Sequence, residues 1–371
     1  MQPKPTLADL GATAGQFAIP GVFLGAKAYG NGHINDTFAA VFDQDGTQVR
    51  YILQCINADI FKEPLRLMEN VANVTRHIRA RLEAAGAPEV VRRVLTLVDT
   101  WSGGSCHVDD AGRVWRCYLF VEGASTYEII QSPGQAWEAA RAFGAFQRHL
   151  ADYAGPRLFE TIPRFHHTRS RFEALRQAVA ADRSHRAAGV QDELRFAFSR
   201  ESLADSLLTL QEAGGIPERI THNDTKLNNI LLDDRTGEGI CVLDLDTVMP
   251  GLSLYDFGDM VRTATNPVAE DERDLARVQV QEPMFEALAR GYLEGAGGAL
   301  LPAEKERLVL AGQLLTYENG LRFLTDHLEG DHYFRIHREG HNLDRCRNQF
   351  ALLRSLEDCE ERLTSFVMGL G

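Results

Sequence analysis

His222-Asn223-Asp224-Thr225-Lys226-Leu227-Asn228-Asn229 is where this sequence concentrates residues able to do chemistry. A carboxylate, Asp224, stands two positions after a histidine and five before an amide, Asn229. An apolar run, Ile230-Leu231-Leu232, follows. A second strand-like stretch then ends in two further carboxylates, Asp244 and Asp246. This set suits phosphoryl transfer, which asks a protein for position and charge neutralisation rather than covalent participation. Asp224 can face an attacking hydroxyl and take its proton. Asn229 and Asp244 offer hard oxygens to Mg2+, which keeps water and phosphate oxygens in its remaining positions. Asp246 is expected on the same side of the strand as Asp244, because strand side chains alternate with period two. A second ion, the acceptor and plain solvent all remain open as its partner. Lys226 can place a positive charge beside the transferred phosphoryl group, or be an ordinary exposed lysine. His222 is expected to tie the loop to the core.

Phosphates also need a cover and a cation. Tyr29-Gly30-Asn31-Gly32-His33-Ile34-Asn35 precedes a strand. Glycines there would let main-chain amides approach phosphate, which makes Gly30, Gly32 and Asn35 candidate nucleotide contacts, against the alternative of a plain turn. Protein kinases carry a lysine on the third strand. Here Gln54 occupies the corresponding place in Tyr51-Ile52-Leu53-Gln54-Cys55 and brings a hydrogen-bond donor without charge. A strand end at Phe120-Val121-Glu122-Gly123 could present main-chain groups to an adenine, which adds Glu122. Asp256-Phe257-Gly258 spells a kinase metal motif, but it comes too late after Asn229. Asp256 is instead expected to accept main-chain amides of the catalytic loop.

The elements that would hold these residues divide unevenly. Phe38–Phe42 and Val49–Leu53 predict a hairpin with a five-residue connection, and Pro64 to Ala84 a helix with Leu67, Val71, Val74, Ile78 and Leu82 on one face. Strands are expected near Leu95–Val98 and Val114–Val121. Beyond Pro133 the pattern turns helical: Trp137–Leu150, Phe172–Ala180, Leu194–Ala213, Phe285–Leu293, Ala303–Glu318 and the stretch after Asn342. This order predicts an α+β, bilobal fold, with a β-rich nucleotide-binding lobe over residues 1–121 and a larger helical lobe over residues 122–371.

The bulk properties narrow the partners. The 371 residues are 44% hydrophobic and 25% charged, an ordinary globular profile. A net charge of −13 argues against nucleic acid as a partner. No apolar run is long enough for a bilayer span, and the first residues lack a signal-peptide core. The six cysteines have no metal-ligand spacing and read as reduced thiols. A cytoplasmic monomer acting on small molecules is the expectation.

With those residues in view, the sequence resembles the aminoglycoside phosphotransferase and choline kinase superfamily, relatives of the protein kinases. The similarity is closer to the N-acetylhexosamine 1-kinases within it. It is carried by Tyr29–Asn35, Arg50–Gln54, Thr221–Leu231, Asp244–Gly251 and Arg322–Asp331, and spans nearly the whole chain. The resemblance implies ATP as co-substrate, Mg2+, and phosphorylation of the anomeric hydroxyl of N-acetylglucosamine or N-acetylgalactosamine. It also implies His33, Asp224, Asp244, Arg322 and Tyr333 near the sugar. The residues themselves say less about that end. Glu318, Arg322 and Asp326 recur every four positions and share a helix face. They suit either a solvated ion-pair row or an arginine held by carboxylates to grip hydroxyls. A kinase of another small alcohol and a non-catalytic nucleotide-binding regulator are the alternatives.

Overall fold

The alternating apolar residues after Asn35 become the centre of a five-stranded antiparallel sheet. The computed structural model describes residues 6–30 and 34–370. A short helix, α1 (Leu7–Ala14), precedes strands β1 (Val22–Ala28), β2 (Asp36–Gln44) and β3 (Thr47–Cys55). Strands β4 (His107–Val108) and β5 (Val114–Leu119) complete the order β1-β2-β3-β5-β4. Two residues, not five, join β2 to β3. Asp45 and Gly46 have φ of 52° and 85°, the signature of a tight hairpin turn, and pairing therefore continues to Gln44↔Thr47. The strand expected near Leu95–Val98 is reduced to a single bridge, Leu97↔Tyr118.

Helix α2 (Pro64–Ala84) has the bounds its sequence predicts, with proline in the first turn and Leu67, Val71, Val74, Ile78 and Leu82 buried. That face shares a core with Phe146, Leu150, Ile240, Leu245 and Val248 from the second half of the chain. After α3 (Val90–Arg93) the chain returns to the sheet as β4 and β5, then passes through β6 (Ala124–Ser125) and enters the helical region at α4 (Pro133–Leu150).

Helices α5 (Thr168–Ala181), α6 (Gln191–Phe198) and α7 (Ser206–Glu212) follow. The sequence predicts one helix from Leu194 to Ala213, and the structure breaks it. The Ser199 hydroxyl donates to the Phe196 carbonyl at 2.9 Å, the acceptor that the Arg200 amide would need, and that amide bonds to Ala197 instead. Four short strands surround the candidate loop: β7 (Arg219–Thr221), β8 (Ile230–Asp233), β9 (Gly239–Val242) and β10 (Met249–Gly251). They pair as β10-β7 and β6-β8-β9. Helices α8 (Ser253–Ala264), α9 (Glu282–Ala296), α10 (Pro302–Lys305), α11 (Leu308–Glu329), α12 (His341–Asp358) and α13 (Glu360–Gly369) complete the chain. The helix expected over Ala303–Glu318 is thus two, parted at Glu306 and Arg307. Among the described residues no helix is long and apolar enough to cross a membrane.

The contact between α4 and α9 brings backbone against backbone. A Cβ on Gly291 would stand 2.3 Å from the Trp137 carbonyl oxygen, and one on Gly144 2.2 Å from that of Tyr292. Only hydrogen fits at those points. The approach sets where α4 lies, and α4 carries Gln147, whose amide reaches the Ile220 carbonyl at 3.0 Å and Asp256 at 2.9 Å. Gly291→Ala should therefore cost about 1–3 kcal/mol by overpacking. Chemical denaturation measures this, and unchanged stability would mean that the two helices can part freely.

Candidate active site

The loop between β7 and β8 is held by its main chain. Asp256, fully buried on α8, accepts the His222 amide at 3.0 Å and the Asn223 amide at 2.7 Å. One turn on, Asp259 accepts the Thr225 amide at 3.0 Å. These two carboxylates occupy consecutive turns of one helix face, so α8 grips alternate stretches of the loop. The expectation that Asp256 serves the loop rather than a metal matches this geometry. Asn223 takes a left-handed conformation, φ 66°, and its side-chain amide donates to the Thr247 carbonyl at 2.9 Å. His222 is wholly buried against Phe143 and Phe146. Its Nε2 lies 2.7 Å from the Leu243 carbonyl and must donate, which leaves Nδ1 to accept the Asp224 amide at 3.3 Å.

That frame presents Asp224 at the surface of the cleft, with 27% of its side chain exposed. Lys226 Nζ stands 2.8 Å from one carboxylate oxygen. The Asn229 amide donates to the other at 3.2 Å and to the Asp224 carbonyl at 2.8 Å. Burial raises the Asp224 pKa, but the Lys226 ammonium outweighs it and holds the carboxyl below its ordinary value. Asp224 is therefore ionised at neutral pH, as a proton acceptor must be. The nitrogen of Asn229 is engaged, so its Oδ1 is the atom left for a cation.

Asp244 differs. It lies two residues beyond β9 in a left-handed conformation, φ 52°, and accepts no hydrogen bond among the described residues. It opens on the cleft, yet protein crowds it. Burial, then the Asp246 and Asp224 carboxylates, push it up to about 6. A carboxylate without donors and repelled by its neighbours suits a divalent cation. Among the described residues no three His, Cys, Asp or Glu side chains converge as a metal cluster. The donor set of Asn229 Oδ1 and Asp244 therefore fits an ion such as Mg2+, which takes its other ligands from phosphate and water.

Asp246 is not Asp244's partner along a strand. The strand ends at Val242, and Leu245–Thr247 is a 3-10 turn, so the period-two expectation does not apply. Its side chain is buried and both oxygens are engaged, one by Arg116 and one by Asn35 Nδ2 at 2.6 Å. As a metal ligand Asp246 would have to give up one of these donors. Gln54 is engaged too. Its carbonyl accepts Arg116 Nε at 2.8 Å and Nη2 at 2.6 Å, and its amide donates to Thr37 at 2.9 Å. The missing third-strand cation thus has a counterpart one strand over, and Gln54 is its support. Burial would lower the Arg116 pKa, and the Asp246 carboxylate more than offsets this. An arginine inside Val114-Trp115-Arg116-Cys117-Tyr118 was the sequence signal for this residue.

The nucleotide-side candidates separate. Gly30 has φ 78° with open space where a Cβ would stand. Gly32 and His33 lie outside the described residues. Asn35 braces Asp246 and accepts the Asn57 amide at 2.9 Å, so both ends of its side chain are engaged within the protein. The Glu122 carboxylate pairs with Arg50 at the surface, and its carbonyl accepts Arg92 Nη2 at 3.0 Å. The unengaged main chain at this strand end belongs to its neighbour Val121, which makes no main-chain hydrogen bond among the described residues.

Of the residues that the resemblance implies near the acceptor, Arg322 is half-buried, with its guanidinium 5.7 Å from the Phe165 ring centre, 5.8 Å from Tyr333 and 5.3 Å from Phe334. The flanking carboxylates do not hold it. Glu318 faces His166 Nδ1 at 2.8 Å and Thr168 at 2.6 Å. Asp326 accepts the amides of His332, Tyr333 and Phe334 and the Asn342 side chain, which shapes the loop that displays Tyr333 at 70% exposure. His166 Nε2 meets the Asn223 carbonyl at 3.0 Å. Both its partners are acceptors, so the ring carries two protons; burial lowers its pKa and the Glu318 charge raises it further than that. Nothing local in the sequence marks His166, because its partners come from distant segments.

The sequence matches the phosphotransferase enzyme family over residues 25–301. The chain belongs to that family. Its fold agrees. An aminoglycoside phosphotransferase from Alicyclobacillus acidocaldarius superposes with a TM-score of 0.57 at 15% identity, covering 100% of this chain and 96% of its own. A microcompartment-associated aminopropanol kinase gives 0.55 at 18% identity, covering 98% and 99%. A choline/ethanolamine kinase family protein from Mesorhizobium loti gives 0.50 at 19%, covering 95% and 94%. Such identities establish the kinase-like α+β fold of this phosphotransferase.

Two expected outcomes follow from its buried charges. Arg116→Met strands the Asp246 carboxylate and should cost about 3–5 kcal/mol in a denaturant titration; a loss below 1 kcal/mol would mean water reaches Asp246. Asp256→Asn turns one of the two acceptor oxygens into a donor, leaves at least one buried loop amide unpaired and should cost about 1–3 kcal/mol without changing the response to magnesium. Asp244→Asn should do the reverse, raising the magnesium needed for half-maximal turnover with stability intact. Magnesium dependence that follows Asp256 instead would reverse the assignment.

Proposed function

We propose that this phosphotransferase uses ATP and Mg2+ to phosphorylate the anomeric hydroxyl of a free N-acetylhexosamine, N-acetylglucosamine or N-acetylgalactosamine. The observation that carries the reading is an ionised Asp224 joined, through Asn223 and His166, to a cluster of Arg322 with Phe165, Tyr333 and Phe334. Aromatic faces pack against the apolar faces of a pyranose, and a guanidinium without a carboxylate partner can donate to its hydroxyls and acetamide. The resemblance through Tyr29–Asn35 and Arg322–Asp331 supports the same acceptor.

Asp224 would take the proton of the anomeric hydroxyl, which is more acidic than an ordinary sugar alcohol and can be served by a weakly basic carboxylate. Lys226 would stand beside the transferred phosphoryl group, and Asn229 and Asp244 would hold the magnesium ion. That ion, when bound, neutralises phosphate charge. The main chain at Gly30 and Val121 would be available to the nucleotide. Arg322 and Tyr333 would align the ring, and alignment alone contributes several orders of magnitude to rate.

A kinase of another small alcohol is the second reading, favoured by relatives named for aminopropanol, choline and ethanolamine. A panel of free sugars and these amino alcohols with magnesium-ATP distinguishes the two. N-acetylglucosamine and N-acetylgalactosamine should be turned over to 1-phosphates, and their methyl glycosides should be inert. A methyl glycoside phosphorylated as fast as the free sugar would move the attack to another carbon and end the 1-kinase assignment, leaving the phosphotransferase assignment in place.

A further inference from the structure

Phe165 is touched by two guanidiniums. Arg322 lies 5.7 Å from its ring centre, and Arg171, on α5, donates through Nη2 to its carbonyl at 2.8 Å. Arg171 is half-buried, its Nε has no hydrogen-bond partner, and among the described residues neither arginine makes an ion pair. The carboxylates around them are committed elsewhere. Glu318 is matched by the doubly protonated His166, so that pair contributes no net charge. Asp326 is enclosed by the three amides of the Tyr333 loop and Asn342, and Asp331 is paired with Arg186. The guanidiniums of Arg322 and Arg171 thus meet Phe165 at its ring and at its carbonyl, and neither has an ion-pair partner among the described residues. Burial, then the Arg322 charge, lowers the pKa of Arg171, and Glu318 offsets this only in part.

We propose that Arg171 is a specificity-determining residue: with Arg322 it makes the far wall of the acceptor site electropositive, so that alcohols carrying an ammonium group are rejected and neutral or anionic ones accepted. The identification of this region as the acceptor site rests on the preceding reading; the sign of the selection does not depend on which alcohol is used. Like charges at contact distance in a partly desolvated cleft repel strongly, whereas hydroxyl, carbonyl and carboxylate oxygens are acceptors for guanidinium.

The test compares kcat/KM for N-acetylglucosamine, glucuronic acid, glucosamine, choline, ethanolamine and 1-amino-2-propanol in the full-length protein with magnesium-ATP. Glucosamine should fall below N-acetylglucosamine by about tenfold or more. Losing the acetyl group contributes to that ratio, so the variants isolate the charge. Arg171→Lys should keep the ratio and Arg171→Met should lower it severalfold, whatever each does to absolute rate. Equal ratios in the Lys and Met variants would overturn the proposal, as would an ammonium alcohol being the best acceptor of the unaltered protein. A neutral or anionic alcohol other than a hexosamine as best acceptor would overturn the hexosamine reading and support the charge selection. If no compound is turned over, calorimetric titration of the same panel decides: tighter binding of the ammonium alcohols overturns the proposal, and tighter binding of the others supports it. The same titration serves for a Met variant too unstable to assay, with Arg322→Met in its place.

Discussion

The carboxylate of Asp256 is the point on which the site depends. It accepts two consecutive main-chain amides, His222 and Asn223, and the side chain of Gln147. Burial pushes the Asp256 carboxyl above its ordinary value, and three donors in a dry environment still make it a strong and directional anchor. The donors arrive from two places: two from the loop after β7, one from α4. The position of α4 is fixed in turn by a glycine-lined contact with α9 that admits no side chain. The α4–α9 packing thereby bears on the loop that carries Asp224, through Gln147 and Asp256.

Charge around the loop is arranged as three carboxylates between two cations. Arg116 lies deepest, then Asp246, then Asp244 and Asp224, with Lys226 at the opening. Asp246 is satisfied by Arg116 and Asn35, whereas Asp244 has no partner and carries the repulsion of both neighbours. The strain is useful only where a cation is to bind. Satisfying Asp246 keeps the negative charge of the site near what a divalent ion can offset. A kinase lysine on the third strand would reach phosphate directly. Arg116, wholly buried, has no such reach, and its contribution is to set the position and charge of the aspartates.

How legible this was from the sequence depended on the range of the interactions. The α2 bounds and the pairing of Phe38–Phe42 with Val49–Leu53 are local patterns of period and stand where the sequence puts them, although the turn between the strands is tighter than expected; Asp224, Lys226 and Asn229 also meet in space as their spacing suggests. The Leu194–Ala213 helix breaks after Phe198, where the Arg200 amide turns to the Ala197 carbonyl, a local change that hydrophobic period does not register. Asp246 was placed by a strand rule beyond the strand's end. Arg116, His166 and Asp259 went unread because their partners are remote, and only the fold brings Asn223 to His166 or Gln54 to Arg116. Gln54 itself was noticed as an absence, and its use became visible once the strand beside it was known.

Two left-handed residues complete the geometry. Asn223 and Asp244 have φ of 66° and 52°, a region that L-residues occupy at a cost. Asn223 is compensated where it stands: its side chain donates to Thr247 and its amide to Asp256. Asp244 has no such compensation among the described residues, and it is also the carboxylate without donors. A chain that turns at this point exposes Asp244 to the cleft and sends Asp246 inward to Arg116, although the two are separated by one residue. Backbone strain and unpaired charge coincide at the same position, so a cation bound there would relieve the charge that the protein leaves uncompensated, and the turn at Asp244 is what makes that position available.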